Sequence, residues 1–175
     1  MKKIIIAIDS FKGCLTSAEA GKAAEKGIKS INPFCHTSVI PIADGGEGLL
    51  DVLITATKGK YITLSAHGPL MKMAKTHYGL SGNGRTAIIE MAAISGLPLV
   101  PIEQRNPMLT TTFGTGELIK DALNKGCRNF IIGIGGSATN DAGLGMLQAL
   151  GFRFLDKSGH TLGTGGQIME AVANI

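Results

Sequence analysis

The chain has 175 residues, 44% of them apolar and 17% charged, enough for a folded core in about one ordinary domain. Its 25 glycines are roughly twice the usual share of about 7% but follow no period, which excludes collagen-like and disordered classes. The net charge of +4 comes from dispersed lysines, with six Phe, two Tyr and no Trp, so the composition speaks against nucleic-acid binding and fits small anions.

The first elements alternate strand and helix. Residues 4–8 form an apolar, β-branched run that stops at Asp9, the pattern of a central parallel strand buried on both faces. At about five residues it is too short for a membrane span or a secretory core, so a cytoplasmic protein with no membrane partner is expected. After the loop DSFKGCL, Thr16 and Glu19 fit a capping box. Ala20, Ala23, Ala24, Gly27, Ile28 and Ile31 then recur at helical spacing as far as Asn32-Pro33. Residues 38–42 predict a second strand, ADGGEG its loop, and Leu49, Val52, Leu53 and Ala56 one face of a second helix ending near Gly59.

From Tyr61 to Met91 short alternating runs, residues 61–65, 74–79 and 86–91, are separated by Gly-Pro and Gly-Asn-Gly turns and predict a meander or mixed sheet. Residues 98–112 read as a linker. The segment GTGELIKDALNKG predicts a helix through Leu118, Ile119, Ala122 and Leu123. A buried strand at 129–134, the loop GGSATND and a helix through Leu144, Leu147 and Leu150 follow. Residues 152–162 predict a hairpin and GTGGQ opens a last helical run. That run stops at Ile175 in mid-pattern, which fits a shortened chain as well as a frayed terminus.

Five loops rich in glycine or hydroxyls stand before helices: DSFKGCLTS, ADGGEG, TTTFGTGE, GIGGSATND and GTGGQ. In a doubly wound sheet such loops converge at the carboxyl ends of the strands, where helix N-termini and close backbone approach favour phosphate. Asp9, Asp44, Glu47, Glu117 and Asp141 lie in these loops or the first helical turn, as Mg²⁺ ligands or a base would. Each also suits a first turn as a complement to the helix dipole. Lys12, the lysine of the first loop, could hold a phosphate or a substrate carboxylate. Cys14, Cys35 and Cys127 show no ligand spacing and read as reduced packing thiols.

Two nucleotide motifs can be tested by context. GLSGNGRT at 79–86 imitates a P-loop but leads into a strand and reads as a hairpin turn. Gly133-Ile134-Gly135-Gly136-Ser137-Ala138 matches the dinucleotide fingerprint, with Asp156 about 20 residues on, and keeps an NAD-dependent oxidoreductase as an alternative. The carboxylate of Asp141 after it suits a Mg²⁺-nucleotide better than a bare pyrophosphate. A phosphate-binding module without activity is the other alternative.

The blocks DSFKGCLTSAEA, PIADGGEG, AIIEMAAISGLPLVP, RNPMLTTTFGTGELI and GIGGSATNDAGLGMLQALG resemble, in order and spacing, the bacterial glycerate kinase family. The resemblance implies transfer of the γ-phosphate of ATP to D-glycerate with Mg²⁺, giving 2-phosphoglycerate, on a fold unrelated to P-loop kinases. Carried over by position, it implies Asp9, Lys12 and Asp44 as catalytic residues. Ser10, Gly45, Gly46, Thr115, Gly116, Gly135, Gly136, Ser137 and Asn140 are implied as substrate or phosphate contacts, and Asp44, Glu47 and Asp141 as Mg²⁺ ligands.

Ile8, Cys14 and Thr112 stand where members commonly have Pro, Ser and Ser. Members continue for about as much chain again, with a further site block containing an Asp and a Gly-Lys pair. The resemblance therefore implies an α/β fold in two parts: an incomplete Rossmann-like three-layer sheet at 1–60, and part of an inserted α/β domain with a mixed sheet at 61–175. The general base could lie in the further half, and an uncovered sheet edge would favour a homo-oligomer.

Overall fold

The structure is a computed structural model that describes residues 3–175. Strand β1 (Lys3–Ile6), helix α1 (Ser17–Ile31) and strand β2 (His36–Val39) form the first unit, with β1 and β2 parallel and Lys3 in register with His36. Helix α1 begins as its sequence dictates. The Thr16 hydroxyl accepts the Glu19 N–H at 3.2 Å, and Glu19 accepts the Thr16 N–H at 2.9 Å, so two otherwise unpaired donors of the first turn are satisfied reciprocally. The helix meets β2 at Gly21, where a Cβ would lie 2.4 Å from a Val39 methyl.

Strands β3 (Lys60–His67), β4 (Met73–Leu80), β5 (Thr86–Glu90) and β6 (Asn129–Gly133) form a mixed sheet in that order, antiparallel except for the parallel pair β5–β6. The GLSGNGRT segment is the β4–β5 turn, with Gly84 at φ +69° and its N–H donating to the Ser81 carbonyl. One face of the sheet buries Ala66, Tyr78, Ala87 and Ile89 against Ile94, Leu118, Ala122 and Cys127. This core lies between the sheet and helix α4 (Phe113–Asn124). Helix α3 (Ala92–Ser95) is a single turn leaving β5, and α5 (Leu144–Leu150) packs beside α4.

Helix α2 (Leu49–Thr57), grouped with the first unit by its place in the sequence, packs on the opposite face of the mixed sheet. Leu50 and Ile54 bury against Ile88, and a Cβ on Gly79 would stand 2.7 Å from Leu50. Only a glycine in β4 admits the helix this closely. Helix α2 thus packs on the sheet that follows it in the chain.

Four expectations are corrected. Strand β1 is not buried on both faces, since Ile5 is 60% exposed in a two-stranded sheet. Strand β6 is an edge strand, with Ile131, Ile132 and Ile134 exposed. Residues 98–112 are no passive linker: they form two 3-10 turns and end in the buried Thr110, Thr111 and Thr112. Cys35 and Cys127 pack inside as expected, whereas Cys14 is exposed. The hairpin expected at 152–162 is present as the Leu155–Thr161 bridge, and the last helical run is the 3-10 segment Gly166–Ala171. Among the described residues no helix is long and apolar enough to cross a membrane.

Truncating Ile88, which joins α2 to the sheet, leaves a cavity. Ile88→Ala should cost about 2–5 kcal/mol in urea unfolding, whereas Ile5→Ala on the exposed face should stay within about 0.5 kcal/mol.

Candidate active site

The five loops touch one another in series, the fifth through Gly166, where a Cβ would lie 2.4 Å from the Asn140 carbonyl. The first loop and the start of α2 enclose a cavity of about 440 Å³ lined by Ser10, Phe11, Lys12, Pro41, Glu47 and Asp51 among others. The Ser17 hydroxyl ties both strand exits together, donating to the Ile8 carbonyl at 2.6 Å and accepting the Ile42 N–H at 3.0 Å. Asp9 accepts the Ser10 N–H at 2.6 Å. Lys12 is exposed and makes no ion pair among the described residues.

The second loop is bent by an Asx turn in which Asp44 Oδ1 accepts the Gly46 N–H at 3.0 Å. It meets the fourth loop backbone to backbone, the Gly135 N–H donating to the Gly45 carbonyl at 3.1 Å. Cβ atoms on Gly133 and Gly135 would sit 2.4 Å from the Gly45 oxygen and 2.7 Å from the Gly46 Cα. Both glycines are thus demanded by the approach itself. Asp44 and Glu47 remain exposed.

The fourth loop does not open a helix directly. After Gly136, at φ +73°, Ser137 bridges to Gly96, its hydroxyl accepts the Thr139 N–H, and α5 starts only at Leu144. The dinucleotide fingerprint needs the helix at the end of the glycines, so its context fails. Asp156 lies in the hairpin turn, where it accepts the Ser158 and His160 N–H groups. Asn140 is exposed and its N–H donates to the Pro107 carbonyl.

Asp141 is enclosed. It is 1% exposed, and its carboxylate accepts the N–H groups of Thr112 at 2.8 Å, Gly143 at 3.0 Å and Gly145 at 3.2 Å. The Thr111 and Thr112 hydroxyls donate to it as well. With both oxygens engaged it ties the start of α4 to the start of α5. Thr115 and Gly116 are enclosed as well. Thr115 is fully buried with its hydroxyl 2.8 Å from that of Ser95, and a Cβ on Gly116 would meet the Met146 carbonyl at 2.4 Å, so both serve helix packing. Glu117 accepts the His67 N–H at 2.6 Å and lies 2.9 Å from His67 Nδ1, which pins β3 to α4.

Glu90 was not singled out from the sequence. It ends β5, is only 9% exposed, and accepts the Leu50 N–H at 3.3 Å. Burial pushes its carboxyl above the usual glutamate value. The nearby backbone N–H groups of Leu50 and Gly48 oppose that rise, and the charges of Asp51 and Glu47 add to it. Its one sequence signal was a carboxylate closing an apolar strand, a position in which a charge is rarely left without partners.

Comparison with known proteins follows the same loops. The model of the glycerate kinase family matches residues 4–175. The chain is 54% identical to a glycerate kinase of Bacillus subtilis (strain 168) and 49% identical to a glycerate 2-kinase of Escherichia coli (strain K12), in each case over 99% of its own length and 45% of the relative's. A crystal structure assigned as glycerate kinase 2 from Salmonella typhimurium LT2 superimposes with a TM-score of 0.84 at 48% identity, covering 98% of this chain and 46% of that one. The chain thus spans about half the length of the relatives it matches.

Two stability tests follow from the buried carboxylates. Asp141→Asn replaces an all-acceptor group with one that donates, and losing a charged hydrogen-bond acceptor costs about 1.5–3 kcal/mol; a urea midpoint equal to wild type would contradict the capping role. For Glu90 the folded state binds its proton more tightly than the unfolded chain does, so the burden is absent below the ordinary value of 4.5 and grows as pH rises above it. Glu90→Gln should gain stability relative to wild type between pH 4 and pH 8 in parallel urea titrations.

From the family match over nearly the whole length and the meeting of these loops, the chain belongs to the glycerate kinase family.

Proposed function

We propose that this chain carries the phosphate- and acceptor-binding loops of a kinase that transfers the γ-phosphate of ATP to D-glycerate, giving 2-phosphoglycerate. The observation that carries the reading is the cavity between the first loop and α2, which sets Ser10, Lys12 and Glu47 on one wall system. Around it, Asp44 and the glycines of the second and fourth loops lie within one connected surface through the Gly45–Gly135 contact.

The residues fit Mg²⁺ in a specific way. This ion usually keeps several waters and takes one or two protein carboxylates beside phosphate oxygens. Asp44, with Oδ1 engaged in its turn, and Glu47, with no hydrogen bond among the described residues, supply two hard oxygen donors. Among the described residues no group of three potential ligands exists, which agrees with that sparse demand. When bound, the ion would offset charge on the phosphates.

The chain's own groups have separate tasks. Lys12 provides a compact cation for a phosphate or the glycerate carboxylate. The N–H groups of Gly45, Gly136 and Ser137 offer donors to phosphate oxygens, and Asp9 holds the turn through Ser10. Transfer of this kind depends on position and charge more than on covalent chemistry. We place the general base outside these residues. The two-part organisation is also ours: the exposed faces of β1 and β6 would be covered in a full-length member, with α2 lying between the two parts.

The test is ADP release from Mg²⁺-ATP with and without D-glycerate in the full chain. Lys12→Ala and Asp44→Asn should each lower turnover by about 10²–10³-fold, the cost of removing one preorganised electrostatic contact, while the urea midpoint stays near wild type. Undiminished turnover in Lys12→Ala would remove that residue from the site.

A further inference from the structure

The second loop is suspended between two anchors. At its start the Gly45 carbonyl accepts the Gly135 N–H from the loop after β6. At its end the first turn of α2 has Gly48 as its cap, in the left-handed region and with no side-chain cap of its own. The unpaired N–H groups of such a turn need an acceptor. Here the acceptor arrives from 40 residues away, as Glu90 Oε2 at the carboxyl end of β5, 3.3 Å from the Leu50 N–H. Glu90 is buried and makes no ion pair with Lys, Arg or His among the described residues. Apolar neighbours make it an expensive way to cap a helix. A side chain at position 48 could not cap locally, because its φ of +92° is a backbone conformation that favours glycine.

We propose that Glu90 is a positioning residue for the Asp44–Glu47 loop: by holding the Leu50 N–H in the first turn of α2 it fixes the direction in which Glu47 faces the cavity. The inference rests on the reading of that loop as a metal and phosphate contact. It deepens that reading by naming the group that aims the contact. A remote acceptor ties the loop to the strand whose neighbour, β6, carries the other glycine loop, so both halves of the site move with one sheet edge. Only acceptor capacity at the correct reach is required, which an amide oxygen keeps and a hydrocarbon or a shorter side chain lacks.

The experiment uses the full chain and three variants, Glu90→Gln, Glu90→Leu and Glu90→Asp. Mn²⁺-ADP binding is read by the paramagnetic signal of Mn²⁺, and amide hydrogen exchange is followed at Leu50 and through the rest of α2. Glu90→Gln should bind within about threefold of wild type. Glu90→Leu and Glu90→Asp should weaken binding by about 10- to 100-fold, the usual cost of losing a group that orients a ligand. Exchange at the Leu50 amide should accelerate in those variants, and exchange in the rest of α2 should not.

Should Glu90→Leu not fold, Glu90→Asp, which keeps the charge and most of the volume, decides the matter. Wild-type binding and exchange in Glu90→Asp, or equal losses in the Gln and Asp variants, would overturn the positioning role. Absence of Mn²⁺-ADP binding in the wild type would instead overturn the functional reading beneath it.

Discussion

The site depends on the approach of two backbones with no side chain between them. Gly133 and Gly135 lie so close to Gly45 and Gly46 that a single methyl would occupy the space of a carbonyl oxygen or an α-carbon. Because of that contact the loop following β2 reaches the loop following β6, although β2 and β6 belong to different sheets. Helix α2 then has one place to go, over the face of the mixed sheet at Gly79 and Ile88. Its N-terminal turn is thereby delivered to Glu90. A bulkier residue at the loop contact would part the two loops.

Polar groups are divided between holding and facing. Asp141, Glu117, Thr111, Thr112 and Thr115 are consumed by internal hydrogen bonds. They order the helix termini under the site at the cost of their own availability. Asp44, Glu47 and Lys12 lie on exposed loop backbone with their charged ends open. This division has a physical basis, since a buried carboxylate must be saturated to be tolerated, and a saturated carboxylate has no lone pair to offer a metal. The same carboxylate chemistry therefore serves scaffold or site according to burial alone.

How far the sequence was legible varies with the range of the interaction concerned. Thr16 and Glu19 form a capping box because both partners lie within one turn, and the Gly-Asn-Gly hairpin is equally local. Strand positions were read to within a few residues, the α/β class followed from their alternation, and the glycine loops marked segments that the fold brings together. Burial was misread at Ile5, Ile131 and Ile132: an apolar run announces that a strand can be covered on both faces, while strand order decides whether it is. The burial of Asp141 was hidden for the same reason. Beside the local Gly143 and Gly145 N–H groups, its donors Thr112 and Thr111 lie 29 and 30 residues earlier in the chain, beyond any local pattern.

What the sequence by itself determined is therefore the set of short-range elements, the loops between them and, through the order of whole blocks, the family. The tertiary structure alone decided which acids are open and which are sealed, that α2 packs on the second sheet, and that Glu90 caps a helix 40 residues before it. These outcomes depend on which surfaces meet. A hydrogen bond or a close contact between distant residues is set by the geometry of the intervening sheet, and no spacing in the chain encodes it.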